Sequence, residues 1–211
     1  MSVNYETKSF HKKKSSMAEY FIFGCLTIWN IVMTVRERKR ASEFYAHLSL
    51  VIFFGAILLV FILSHDALSG QAFVTFPVSI PALRITGIGM VTAGISIYIL
   101  ALRALKTEGN PRKGSHLETE GLVTSGIYRY ARHPMALAVL LICLGLVLWR
   151  LHIAAVTAYA VLVVFYIIAM RREENELVRK FGEDYREYRK RVPALNIVRG
   201  RYRVLNSESN Q

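Results

Sequence analysis

The sequence predicts an all-α, polytopic membrane protein with about five transmembrane helices, and three observations predict it. Of its 211 residues 53% are apolar, and the mean hydropathy of +0.32 is high for a water-soluble domain. The apolar residues gather into five uncharged runs, 20–35, 44–64, 85–102, 135–149 and 153–170. The basic residues, which give a formal net charge of +12, cluster between and after those runs.

A helix needs roughly 20 apolar residues to cross the hydrocarbon core. The run 44–64 meets that length, and 85–102 and 153–170 come close to it. The first run is short and contains Asn30, so it either crosses or lies in the interface. Residues 65–84 hold Gly70, Pro77 and Pro81 among moderately apolar neighbours, as a loop against the outer interface would. In the third run Gly87, Gly89, Ala93 and Gly94 are small residues at near-helical spacing, which lets another helix approach closely. The fourth run is short and follows His133-Pro134; proline is well tolerated in a first helical turn, so this helix starts in the headgroup zone. Only Arg150, Leu151 and His152 separate it from the fifth, which predicts a tight antiparallel helical hairpin. Past Arg171, Leu177, Phe181, Tyr185, Tyr188 and Val192 form a helical stripe with charged residues around it: an amphipathic C-terminal helix, bent at Gly182 and ended by Pro193. The division expected is a polar N-terminal segment 1–19, a single membrane domain 20–196 and a C-terminal tail 197–211.

Charge orients the chain. Six Lys and Arg fall in 103–134 and eleven in 171–211, which places both segments in the cytoplasm by the positive-inside rule. Lys8, Lys12, Lys13 and Lys14 run against that assignment, so the first run is the least determined part of the topology. Cytosolic loops beside anionic headgroups account for the basic balance, and no nucleic-acid partner is expected. Cys25 and Cys143 both lie inside apolar runs, which suggests neither a disulfide nor a metal site. No cleaved targeting peptide is expected.

The chemistry-bearing residues stand at the two ends of the hairpin. Antiparallel helices with a three-residue turn bring His133, at the start of one, to the same membrane face as Glu173 and Glu174, at the end of the other. Ionisable groups are costly at a membrane unless they meet partners. Tyr128, Arg129, Tyr130 and Arg132 flank the histidine, and the loop 104–134, long for a connection, has an apolar and aromatic second half suited to folding down over a site. Carboxylates beside aromatic rings can hold a cationic, partly apolar small molecule. The bland readings are a solvated acidic helix start and a headgroup-level histidine. His11, His47, His65, His116 and His152 show no ligand spacing.

The segments LVTSGIYRYARHPM and REEN…FGEDYREYRKRVP, joined by the hairpin, strongly resemble the isoprenylcysteine carboxyl methyltransferase family, integral membrane enzymes related to the phospholipid methyltransferases. The resemblance covers about 121–196. It implies S-adenosylmethionine as methyl donor, a cofactor-binding part at 104–193, and a lipid or prenylated acceptor entering from the bilayer. By match of motif, Leu122 and Val123 would line the cofactor, Tyr128 would pack on it, His133 and Pro134 would wall it, and Glu173 with Glu174 would hold a polar end. Ala136 and Ala169 stand where the family usually has Tyr and Arg, which leaves the acceptor open between a prenylcysteine carboxylate and a phospholipid amine. Arg171, Arg172 and Glu174 are the candidates for a catalytic role. Alternatives are a membrane NADPH-dependent reductase of steroid-reductase type and a non-catalytic lipid-binding protein.

Overall fold

The computed structural model describes residues 21–36, 44–55 apart from 46 and 49, 81–109, 120–149 and 153–209. All regular structure among them is helical. In chain order the helices are α1 (Phe21–Arg36), α2 (44–55), α3 (Pro81–Glu108), α4 (Pro134–Trp149), α5 (Ile153–Phe181), α6 (Glu183–Arg191) and α7 (Ile197–Ser209), with one 3-10 turn at Gly126–Arg129. Two helices, α3 and α5 from Ala155 onward, are long and apolar enough to cross a membrane; α1 and α4 are shorter apolar helices. The expected second span is described only over 44–55. Its remainder, the turn 150–152 and the loop positions 65–80 and 110–119 lie outside the described residues.

The chain divides into two compact units, Met1–Ser79 with Arg150–Ala169 and Ile80–Trp149 with Met170–Gln211. In the first, Phe53 packs edge-on to Phe54 and Tyr159, and Tyr45 tilts against Phe165. Asn30 is buried there; its amide donates to the Leu26 carbonyl at 2.8 Å and its oxygen faces Nδ1 of His47 at 3.2 Å. A polar side chain inside an apolar helix is thus satisfied locally and by a neighbour.

The second unit is built on the crossing of α3 and α4. A Cβ on Gly87 would sit 2.8 Å from the Gly145 carbonyl oxygen, and one on Gly145 would sit 2.5 Å from that of Gly87. One turn pair further along, a Cβ on Gly94 would meet the Ala138 oxygen at 2.7 Å. The backbones touch because glycines at i and i+7 line the contact. Gly89 faces open space, so only part of the expected small-residue stripe makes the contact. Ile85, Ile88, Ile95 and Ile99 of α3 are exposed, as a lipid-facing side would be.

Beyond Glu108 the chain stays anchored. Ser125 hydrogen-bonds the Glu108 carboxylate, Glu120 N–H reaches the Gly109 carbonyl at 3.0 Å, and Val123 is buried with Ala104 and Leu105. On the other side, α5 stops at Phe181 because Gly182 adopts φ +60°, a region glycine enters without penalty. Acidic residues begin α6 and Arg189, Lys190 and Arg191 end it, complementing its dipole. Val192 is extended and Pro193 follows. In this C-terminal part Tyr185, Tyr188 and Val192 are buried, with Leu177, Val178, Phe181 and Leu122 packed against them.

Candidate active site

The site is made where the segment before α4 meets the end of α5 and the chain after α6, all within the second unit. Residues ahead of a proline are disfavoured in helical geometry, so the N–H groups of Arg132 and His133 need partners outside the helix. They find them 61 residues on: Arg132 N–H donates to the Pro193 carbonyl at 3.0 Å and His133 N–H to that of Ala194 at 2.9 Å. Tyr188 adds a third tie, its hydroxyl donating to the Tyr128 carbonyl at 2.6 Å. The His133 carbonyl then accepts from Leu137 at 3.1 Å and starts α4.

This clasp fixes the imidazole between two carboxylates. His133 Nδ1 lies 3.2 Å from Glu173 Oε2 and Nε2 lies 3.3 Å from Glu174 Oε1. Neighbouring residues on a helix point about 100° apart, which lets consecutive glutamates reach opposite nitrogens of one ring. A neutral imidazole can donate from only one nitrogen, so satisfying both carboxylates calls for the imidazolium. Its side chain is 3% exposed, Glu174 is 15% exposed and Glu173, at 49%, faces outward. Arg132 Nη1 lies 2.7 Å from Glu174 Oε1, and Arg189 Nε approaches Oε2 at 3.7 Å. The Arg132 approach is a charge contact and not an aligned hydrogen bond, because its Nε and Nη1 remain buried donors without a hydrogen-bond partner. The buried Tyr185 hydroxyl stands beside the Arg132 guanidinium.

The titration behaviour follows from this packing. The apolar stretch of α5 ends at Met170, so these groups stand outside it. Burial by itself pushes the His133 imidazole down, but hydrogen bonds and charge from Glu173 and Glu174 outweigh it and raise the group to about 9. Burial works to raise Glu174, and the hydrogen bond from His133 with the charges of Arg132, His133 and Arg189 overcomes it, leaving the carboxyl below its usual range. Tyr128 is raised, first by burial and then by the Glu173 charge, and burial pushes Tyr185 up to about 12.

A pH window results. His133 is raised when folded, so its stabilisation is complete below its unfolded value of 6.5 and is lost as pH rises through about 9. The loss amounts to at most about 3 kcal/mol at 1.36 kcal/mol per unit. Glu174 is depressed, so its contribution is present above 4.5 and is lost as pH falls through the folded value. Thermal unfolding in detergent between pH 6 and 10 is expected to show a falling midpoint, with the slope absent in His133→Gln.

The structure therefore brings together His133, Glu173 and Glu174, with Pro134 fully buried behind them. The ring touches both carboxylates directly. Tyr128 packs on the Ala104, Leu105 and Val123 cluster, which places Val123 in the core, while Leu122 packs with the Tyr185 and Tyr188 cluster. Arg171 and Arg172 are exposed on α5; the guanidinium on Glu174 belongs to Arg132. The clasp by residues 193 and 194 has no side-chain signature and was not legible in advance, whereas Arg132 stood beside the histidine in the motif.

The sequence model of the phospholipid methyltransferase family matches residues 83–184. Human protein-S-isoprenylcysteine O-methyltransferase is 33% identical over 122 residues, 56% of this chain and 43% of that protein. The Schizosaccharomyces pombe protein of the same name is 36% identical over 74 residues, 35% of this chain and 31% of its own. Methanethiol S-methyltransferase 2 of Bradyrhizobium diazoefficiens is 32% identical over 90 residues, 39% of this chain and 31% of its own. The chain thus spans less than half the length of each of these relatives, and no solved structure matches it. The matched segment holds Arg132, His133, Glu173 and Glu174, while Tyr185, Tyr188, Arg189 and the carbonyls at 193–194 lie beyond it, and over that segment the chain is similar to the phospholipid methyltransferase family and to isoprenylcysteine methyltransferases.

Proposed function

We propose that the protein transfers a methyl group from S-adenosylmethionine to a lipid or lipid-attached acceptor at the cytosolic face of a membrane. The observation that carries this reading is the His133, Glu173, Glu174 and Arg132 cluster, assembled from the motif segments through which the chain resembles methyltransferases. The residues suit the cofactor. S-adenosylmethionine has an ammonium, a carboxylate and a sulfonium; the half-exposed Glu173 suits a cation, and the Arg132 guanidinium, whose buried Nε has no hydrogen-bond partner, suits an anion. The aromatic groups near Glu173, Tyr128 above all, offer a face for the base or the sulfonium. Bound there, the cofactor supplies an already activated methyl group, so the protein's work is alignment and exclusion of water.

The state of His133 and Glu174 supports one acceptor over the others. His133 is held protonated and Glu174 is held below its usual range, so neither stands ready to take a proton. An acceptor that is already ionised, such as a prenylcysteine carboxylate, fits better than an amine or thiol. The methanethiol enzyme among the relatives makes a thiolate the second choice. A nicotinamide-dependent reductase is not favoured, since every relative named above is a methyltransferase. Retention of labelled S-adenosylmethionine but not NADPH by purified protein is the first test. The second is incubation of membranes with methyl-labelled donor, where label is expected in a base-labile protein ester. Label in phospholipid would replace the acceptor, and no binding with no transfer would remove the reading.

A further inference from the structure

Residues 197–209, IVRGRYRVLNSES, form α7, and Asn196 caps it by accepting the Arg199 N–H at 2.9 Å. At about 100° per residue, Val198, Tyr202 and Leu205 fall within about 60° of one another. Gly200 lies on the opposite side of the helix, and Arg199 and Arg201 lie on the two flanks of the apolar row. The fold uses the glycine side. Gly200 is pressed onto the backbone of Tyr130, so closely that a Cβ would overlap the Tyr130 carbonyl oxygen. Arg203 completes the docking by donating to the carbonyls of Lys190 and Arg191 at 3.5 and 3.2 Å, at the end of α6. What faces away is the row Val198, Tyr202 and Leu205, which are 80%, 65% and 53% exposed.

Position and charge say what covers that row. Tyr130, on which α7 rests, is four residues ahead of Pro134, where the apolar helix α4 begins, so α7 sits at the level where an apolar helix ends. Arg199 and Arg201 are exposed, and the neighbouring end of α6 adds Lys190 and Arg191. Apolar side chains on one face with arginines on its borders is the pattern of a helix lying in a headgroup layer, where the apolar row enters the acyl boundary and guanidinium groups meet lipid phosphates.

We propose that α7 is a surface helix that seats on an anionic lipid layer, with Val198, Tyr202 and Leu205 inserted and Arg199 and Arg201 at the headgroups. This goes beyond methyl transfer and does not depend on it. The test places a nitroxide at Leu205→Cys in full-length protein carrying Cys25→Ser, since Cys143 is buried. The protein is reconstituted in nanodiscs of phosphatidylcholine with or without phosphatidylglycerol, and electron paramagnetic resonance reads accessibility to oxygen and to an aqueous nickel chelate. With phosphatidylglycerol the label is expected to be open to oxygen and shielded from nickel, the reverse of a label at Arg186→Cys on the exposed side of α6. Each headgroup-level arginine contributes about a fivefold preference for the anionic surface, so Arg199→Gln with Arg201→Gln is expected to shift the balance toward water by roughly 25-fold. Equal nickel access at 205 and 186 would overturn the proposal. So would shielding indifferent to phosphatidylglycerol and to the glutamine pair, or dipolar broadening from a second copy seated on the row. None of these readouts involves S-adenosylmethionine, so they are independent of whether methyl transfer occurs.

Discussion

Glu174→Gln is expected to destabilise the protein by about 2 kcal/mol, less than breaking one side of a fully buried ion pair because Glu174 is only partly buried, and to abolish S-adenosylmethionine retention. The amide keeps the shape of the side chain and removes the charge that faces both His133 Nε2 and Arg132 Nη1. With only the half-exposed Glu173 left to support it, the imidazole loses much of what holds it at about 9, and burial draws it down. Two measurements check this: urea unfolding in detergent, and the titration of the His133 ring followed by NMR. A ring that still titrates near 9 in the variant would show that Glu173 alone supports the imidazolium, and that the pairing with Glu174 is incidental.

Gly145→Val is expected to be worse for the fold. A Cβ there already meets the Gly87 oxygen at 2.5 Å, Val91 Cγ2 at 2.7 Å and Val91 N at 3.1 Å, and two of these are backbone atoms that no rotamer can move. Overpacking typically costs about 1–3 kcal/mol and more where the backbone must shift; here α3 and α4 must separate, so about 3 kcal/mol or more is expected. Gly89→Ala is the companion. It meets nothing within 4 Å and gains helix propensity, so it is expected to be neutral or slightly stabilising. Thermal unfolding of the two variants side by side separates close packing from glycine content.

That contrast also marks how far the sequence could be read. Four small residues in the third apolar run announced a close helix contact, but spacing alone does not say which side of a helix meets its neighbour, and Gly87 and Gly94 make the contact while Gly89 does not. The stripe from Leu177 to Val192, with its break at Gly182 and its end at Pro193, was legible because helical period, a positive φ and a missing N–H all leave marks in residue type. His133 and the two glutamates were legible from the order of two apolar runs joined by a short link. Which arginine joins them was not. Arg171 and Arg172 adjoin the acids in sequence, yet α5 carries them to exposed positions, and it is Arg132, beside the histidine, that reaches Glu174. The helix α7 was hidden because three apolar residues among arginines and serines resemble a polar tail until the helix gathers them on one side.

The carbonyls of Pro193 and Ala194 hold the N–H groups of Arg132 and His133, and this fixes a sequence of events during synthesis. The apolar segments can partition into the bilayer while the ribosome is still working, but the histidine cannot take its final place until translation has passed residue 194. Entry of those segments into a bilayer can therefore precede the closing of the clasp, and the histidine is set only once the chain that follows α6 has been made.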